Sequence, residues 1–348
     1  MQSLHEQILK NISDEYDKTV GYITHDMTKT FAIEEKEIYD AINLVYEGID
    51  VEKISGDDLE RFINQRKGLT RKQATYAEGV VNIQGNGTVE VGTIFETEAG
   101  TQFKAIETKV IVTSGVVKVR AVAAGQVGNV AASTIVKMPV TITGIDAVTN
   151  IEPTKGGYEA ESDESLLDRY YLALRTPPTS GNKYHYLMWA KEVEGVGDAK
   201  VYPLDKGTNT VTVVIIDADK QPPTEELLKK VQDHIDPDNG GIGEGQAPIG
   251  AFCYVEGAVG VPVTVSLNLT AASGYDLETV KAAITKSTTD YLKDIAFKQN
   301  YLSYAKLGSI IFDTEGVEDY ANLTLNGEAA NVTIEDRQVL TLGGVTVA

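Results

Sequence analysis

Apolar and polar positions change their period twice along the chain. Through residues 1 to about 78, Leu9, Ile12, Tyr16 and Val20 recur at helical spacing, as do Phe31, Ile38, Ile42 and Val45, with charged residues on the other faces. That spacing predicts amphipathic helices. A third, shorter helix is predicted in SGDDLERFINQ, with Ser55 or Asp57 as its cap, Leu59, Phe62 and Ile63 on its apolar side and Gly68 as its stop. Two arrangements can cover such stripes: packing on the rest of the same chain, or packing on a partner.

From 79 to 150 the period falls to two. TVEVGTIFETEAGTQFKA and KVIVTSGVVKVRAV alternate apolar with polar residues, and Gly92, Gly100, Gly115 and Gly125 read as turn positions. An antiparallel β domain is predicted, with Val110, Val112, Val117 and Val119 on one buried face. Beyond 163, helical patterns at 182–193, 224–236 and 276–296 alternate with the strand-like KVYPL, TVTVVIID and VPVTVSLNLT. EGVGDAKVYPL at 194–204 and EGVEDYANLTL at 315–325 share Glu, Gly, Val, Asp and Leu in register, so two related helix–strand–strand units are expected. The class is therefore a multidomain α+β protein: helices over 1–78, a β domain over 79–150, a joint over 151–162 and an α+β region over 163–348.

Charge narrows the partners. Lysine and arginine number 31 against 51 aspartates and glutamates, a formal net charge of -20, and no basic segment is set apart to receive a phosphate backbone. Nucleic acid is not an expected partner. The start MQSLHEQILKNISDEYD lacks the apolar core of a signal peptide, and no apolar run approaches the roughly 18 residues of a membrane helix, so assembly in a cytoplasm without a membrane partner is expected. The single cysteine, Cys253, lies in the alternating AFCYVEG and reads as a half-buried strand thiol.

Catalytic and metal chemistry find no pattern to rest on. The four histidines, His5, His25, His185 and His234, fall in no metal-binding spacing, and no GxSxG, Cys–His or P-loop arrangement occurs. In GIDAVTNIEPTKGGYEAESDESLLDRY, residues 144–170, seven carboxylates surround Gly156-Gly157. A calcium loop started at Glu159 puts Glu164 where glycine is needed and Tyr170 where the bidentate glutamate is needed. DPDNGGIGEG fails likewise at Gly240 and Ala247. The acids instead suit a helix start: Ser162 or Asp163 caps SLLDRYYLAL, and Thr176-Pro177-Pro178 ends it. Upstream, Asn150, Pro153, Gly156 and Gly157 read as a hinge, kept solvated by mutual repulsion of the acids. No enzyme, cofactor or metal is expected.

Taken in order, several of these pieces resemble one family. Gly56-Asp57-Asp58-Leu59, Gly68-Leu69-Thr70-Arg71, Ala77-Glu78-Gly79, Gly125-Gln126-Val127-Gly128-Asn129, Val148-Thr149-Asn150, then Gly156-Gly157 with Glu161 and the two EGV elements, are similar to the successive signatures of the baseplate J-like proteins of contractile phage tails. The resemblance covers nearly the whole chain, and its specificity lies in the ordered combination. The chain departs at Asp58-Leu59, where the usual order is Leu then Asp. The resemblance implies a structural wedge protein of a baseplate ring, in a phage or a phage-tail-like bacteriocin. It implies as partners a second copy, a smaller wedge protein, and hub and sheath-initiating proteins, and a rearrangement on triggering. The alternatives are a carboxylate-dependent glycan hydrolase of the tail, which needs two acids about 5 to 9.5 Å apart, and a receptor- or carbohydrate-binding tail protein.

Overall fold

The path of the backbone divides the chain into two compact units, Met1–Arg71 with Asp163–Tyr170, and Lys72–Ser162 with Tyr171–Ala348. The structure, a computed structural model, describes residues 2–175 and 181–348; the expected Thr176-Pro177-Pro178 stop lies outside the described residues.

In the first unit, α1 (Gln2–Lys10), α2 (Ile23–Glu47) and α3 (Gly56–Lys67) are joined by turns, and the first eight residues of α4 (Asp163–Arg175) belong with them. The helix expected to run through Leu9, Ile12, Tyr16 and Val20 stops at Lys10. Its continuation is rich in short polar side chains that bond to their own backbone: Ser13 Oγ accepts from Glu15 N–H and Asp17 Oδ1 from Thr19 N–H. Those local bonds compete with the helical ladder. Ile12, Tyr16 and Val20 therefore sit in turns, not on a helix face. α3 forms as predicted and ends at Gly68 in the left-handed conformation, φ 67°.

The second unit opens with a barrel. β1 (Glu78–Val89), β2 (Ile94–Thr97), β3 (Gln102–Ala105), β4 (Lys109–Ala121), β5 (Ile135–Lys137) and β6 (Ile145–Thr149) form one antiparallel sheet in the order β5-β2-β3-β4-β1-β6. Phe95, Phe103, Ile83, Val117 and Val119 fill its interior. The predicted four-valine face is corrected here: Val110 and Val112 are exposed while Ile111, Val117 and Val119 are buried. Alternation places even and odd positions on opposite faces, so the four could not share one. Gly115 is not a turn either. It pairs with Ile83 inside β4, and a Cβ there would lie 2.6 Å from Ile111 Cδ1.

The two ends of this sheet, β5 and β6, share no ladder, and the fully buried Asn150 side chain closes the seam. Its Oδ1 accepts from Thr134 N–H at 3.0 Å and Ile135 N–H at 2.9 Å, while its Nδ2 donates to the carbonyls of Ala131 and Glu152 at 2.8 Å. One amide side chain thus satisfies backbone groups that a neighbouring strand would otherwise take.

Two three-stranded sheets follow. The central one, built from α5 (Lys183–Glu192), β7 (Val196–Pro203), β8 (Thr210–Asp217), α6 (Glu225–Ile235) and β9 (Phe252–Gly257), has the order β7-β8-β9. The C-terminal one has the order β12-β10-β14, from β10 (Val259–Ala271), α7 (Leu277–Ile295), α8 (Tyr304–Phe312), β12 (Val317–Leu325) and β14 (Gln338–Val347); β11 (Tyr301–Leu302) and β13 (Val332–Thr333) pair beside it. Each middle strand has an antiparallel neighbour that follows a helix and a parallel neighbour on its other side. Chain order differs: α5-β7 precedes β8-α6, whereas β10-α7 precedes α8-β12. The two units are thus related by a permutation of the same elements. The matched glycines support it, since Gly195 and Gly316 have φ of 91° and 88° and accept from Ala218 N–H and Ala272 N–H at the ends of the two middle strands. Val214, Ile216, Ala258, Ala296 and Val339 form a shared apolar patch, and Asp336 accepts from Lys200 and the Tyr202 hydroxyl beside it.

Asn150→Ala should open the barrel seam, because it leaves one buried and one half-buried N–H group and two carbonyls without their side-chain partner. We expect a loss of about 2–4 kcal/mol in urea unfolding; an unchanged midpoint would show that the seam closes without it.

Candidate assembly surface and interdomain joint

α2 is amphipathic, yet it buries only Thr28 and Ala32. His5 of α1 bonds to Thr28 on that side. From Ile38 onward every residue of the helix is exposed, including Ile38, Ile42 and Val45, the last at 67%. Leu9, the other helical residue expected to serve assembly, is half-buried on α1. At the end of α2, Asn43, Tyr46, Glu47, Ile49, Asp50 and Lys53 line a shallow notch of about 630 Å³.

Within the same unit, Arg71 ties the turn after α3 to both α3 and α4. Its guanidinium donates to Asp163 Oδ1 at 2.5 Å and to the Gly56 carbonyl at 3.3 Å, its backbone N–H donates to Glu60 Oε1, and Gly56 N–H donates to Asp163 Oδ2. Gly56 meets this geometry at φ 59°. The Gly56 N–H, and after it Arg71, hold the Asp163 carboxyl below the usual range. Ser55 makes no side-chain cap, and Asp57 stays exposed in the first turn; Leu59 is fully buried. Of the two residues expected to cap α4, Ser162 and Asp163, Asp163 directs its carboxylate at the start of α3 and at Arg71.

In the second unit the remaining signature residues converge where the barrel's last segment crosses its first. Asn129 donates to Gly157 O at 2.7 Å and accepts from Gly157 N–H at 2.9 Å. A Cβ on Gly157 would lie 2.4 Å from Gly125 O, one on Gly79 2.7 Å from Thr154 Cγ2, and one on Gly128 2.7 Å from the Ala121 Cβ. Thr154, Lys155 and Tyr158 bond along Val130, Glu78 and Thr75, and Glu161 exchanges bonds with Lys72 through backbone and carboxylate. Glu159 accepts from Gln126 N–H. Residues 150–158 are therefore held to the barrel along their length, where the acids and glycines had suggested a solvated linker. Of the four residues read as a hinge, Pro153 is exposed, Gly156 alone has a positive φ, at 85°, and Asn150 and Gly157 are buried.

Tyr158 then carries the barrel onto the central domain. Its buried ring sits against Gly195 and Leu227, where a Gly195 Cβ would meet it at 3.1 Å, and its hydroxyl faces Asp217 Oδ2 at 3.3 Å. Asp217 Oδ1 accepts from Gln221 N–H. Next to it, Asp219 is paired with Lys293 and bonded by Gln126, and Lys72 Nζ donates to Val196 O. Burial, with Asp219 nearby, pushes Asp217 up to about 7, and burial beside Asp217 raises Tyr158. Sequence reading passed over both. Tyr158 follows the glycine pair, and Asp217 ends TVTVVIID, where an acid closing an apolar run is a signal of a buried carboxyl.

Cys253 is fully buried, and that burial raises its thiol to about 12. Among the described residues, no three His, Cys, Asp or Glu side chains gather where a metal ion could be held, and no helix is long and apolar enough to cross a membrane.

Three family models match the chain: the Baseplate J-like protein barrel domain over residues 76–157, the Baseplate J-like central domain over 178–257 and the Baseplate J-like protein C-terminal domain over 263–348. The phage-like element PBSX protein XkdT of Bacillus subtilis (strain 168) is 31% identical over 347 residues, 99% of this chain and 97% of that protein. Protein YqbT of the same strain is 32% identical over the same shares. Baseplate protein gp47 of Escherichia phage Mu is 35% identical over 155 residues, 43% of each chain.

Asp217 gives the joint a pH dependence with a definite sign. Its folded value is raised from 3.8 to about 7, so the stability it contributes is full below pH about 4 and is lost as pH rises to about 7. Asp217→Asn should remove that slope and raise the unfolding free energy measured in urea at pH about 8, by about 1–3 kcal/mol. Parallel unfolding curves for both proteins from pH about 5 to 8 would contradict a buried, protonated carboxyl.

Proposed function

The chain belongs to the baseplate J-like family, and from that premise we propose that it is a structural wedge component of a contractile-tail baseplate. It forms part of the ring around the hub, joins that ring to the sheath-initiating and peripheral parts, and acts without catalysis. The particle is a phage tail or a phage-tail-like bacteriocin assembled in the bacterial cytoplasm. Its partners in this reading are a second copy, a smaller wedge protein, and hub and sheath-initiating proteins.

The observation that carries the reading is the second half of α2, whose apolar residues are exposed on a helix with no covering element of its own unit. A contiguous apolar stripe of that length marks a surface made to be covered. Movement on triggering is assigned to the contact between Tyr158 and the central domain. Residues 150–157 are bonded to the barrel and travel with it, so a turn of the barrel against the central domain breaks the Tyr158–Asp217 contact and leaves both interiors unchanged.

Ile42→Asp with Val45→Asp should leave the isolated chain's thermal midpoint within about 2 °C of the parent, since neither side chain is buried in it. Particles produced with that variant should lack complete baseplates in negative-stain electron microscopy. Normal particles carrying the variant would remove α2 from the assembly contacts.

A further inference from the structure

The charges around the α2 stripe say what kind of chain covers it. Met27, Phe31, Ile38, Ile42, Val45 and, just past the helix, Ile49 follow one another at intervals of four, seven, four, three and four, and all are at least half exposed. At about 100° per residue they share one narrow face, roughly 80–100° from the side where Thr28 and Ala32 are buried. The helix carries six carboxylates and two lysines. Glu34 and Glu35 border the stripe on its two sides, in the gap between Phe31 and Ile38. Lys36 lies on the far face and is paired with Asp40. Among the described residues Glu34, Glu35 and Glu37 have no cationic partner. The notch that ends the stripe repeats the pattern, with Glu47 and Asp50 against Lys53.

We infer that α2 binds an amphipathic helix of a different protein, one whose apolar face is bordered by lysine or arginine. The inference rests on the reading of α2 as an assembly surface. Pairing α2 with α2 of a second copy would double the excess of negative charge along one seam, and like charges bordering an interhelical seam are repulsive. A basic-flanked helix neutralises Glu34 and Glu35 while filling the same apolar positions. The contact is then selective through charge and held through apolar burial, so salt weakens its selectivity more than its existence.

The test uses the full chain and two synthetic helical peptides of about 21 residues with identical isoleucine and leucine seams, one flanked by lysines and the other by glutamates. By fluorescence anisotropy in about 50 mM NaCl, the lysine peptide should bind about tenfold tighter or more, with the gap narrowing at about 500 mM. Glu34→Gln with Glu35→Gln should narrow it several-fold at low salt while Ile42→Asp abolishes binding of both. Equal binding of the two peptides, or a stable homodimer that Ile42→Asp dissociates, would overturn the charge-selective partner and leave the assembly surface standing. If neither peptide binds the chain, the reading of α2 falls, and the inference with it.

Discussion

The second unit depends on one amide side chain. Asn150 completes the barrel where its terminal strands do not pair, and in doing so fixes the path of the chain that leaves it. Because that path is fixed, Gly157 arrives within reach of Asn129 and Gly125, and Tyr158 is presented outward toward the central domain. A barrel closed by a ladder would need another strand. A barrel closed by a side chain can release its chain at the seam, which lets the closing segment also serve as the connector.

The docking of Tyr158 uses a feature that occurs twice. In both sheet units a helix gives way to a strand at a glycine with positive φ, whose missing side chain makes room for a tyrosine ring: Tyr158 at Gly195, Tyr275 at Gly316. In the C-terminal unit the tyrosine comes from the loop before α7, whereas in the central unit it comes from the barrel's last segment. One local solution, a ring over a bare backbone, thus serves internal packing in one unit and domain attachment in the other. The central and C-terminal units are joined differently, through a shared apolar patch flanked by Lys200, Tyr202 and Asp336.

The large negative charge has two distinct uses. Glu159, Glu161 and Asp163 accept from backbone N–H groups, so the acids that look like a cluster in sequence are divided among separate structural tasks. Glu34, Glu35 and Glu37 of α2 have no cationic partner among the described residues and lie along a helix of exposed isoleucines. Carboxylates of the first kind hold the chain's own shape, and those of the second kind are the ones that the proposed basic-flanked helix would neutralise.

Periodicity was enough for the helices at 225–235 and 277–295 and for the antiparallel strands of the β domain, because an amphipathic stretch has few ways to bury its apolar face, and the two matched EGV elements pointed to the pair of related units. Gly68 likewise announced a helix end that the structure places there. Other matters depended on groups far apart in sequence. The apparent helix through Ile12, Tyr16 and Val20 yields to side-chain–backbone bonds that periodicity does not count. Asn150 and Gly157 read as loose residues because an isolated asparagine and glycine permit many conformations. Only the carbonyls and N–H groups of residues 125–135, brought alongside by barrel closure, select one conformation from them. Asp217 shows the same division: its place at the end of an apolar strand is written locally, but its raised pKa comes from burial in the folded chain, with the charge of Asp219 nearby, against the opposing bond from the barrel's Tyr158. Local chemistry determined the elements, and burial by distant segments decided what each polar group does.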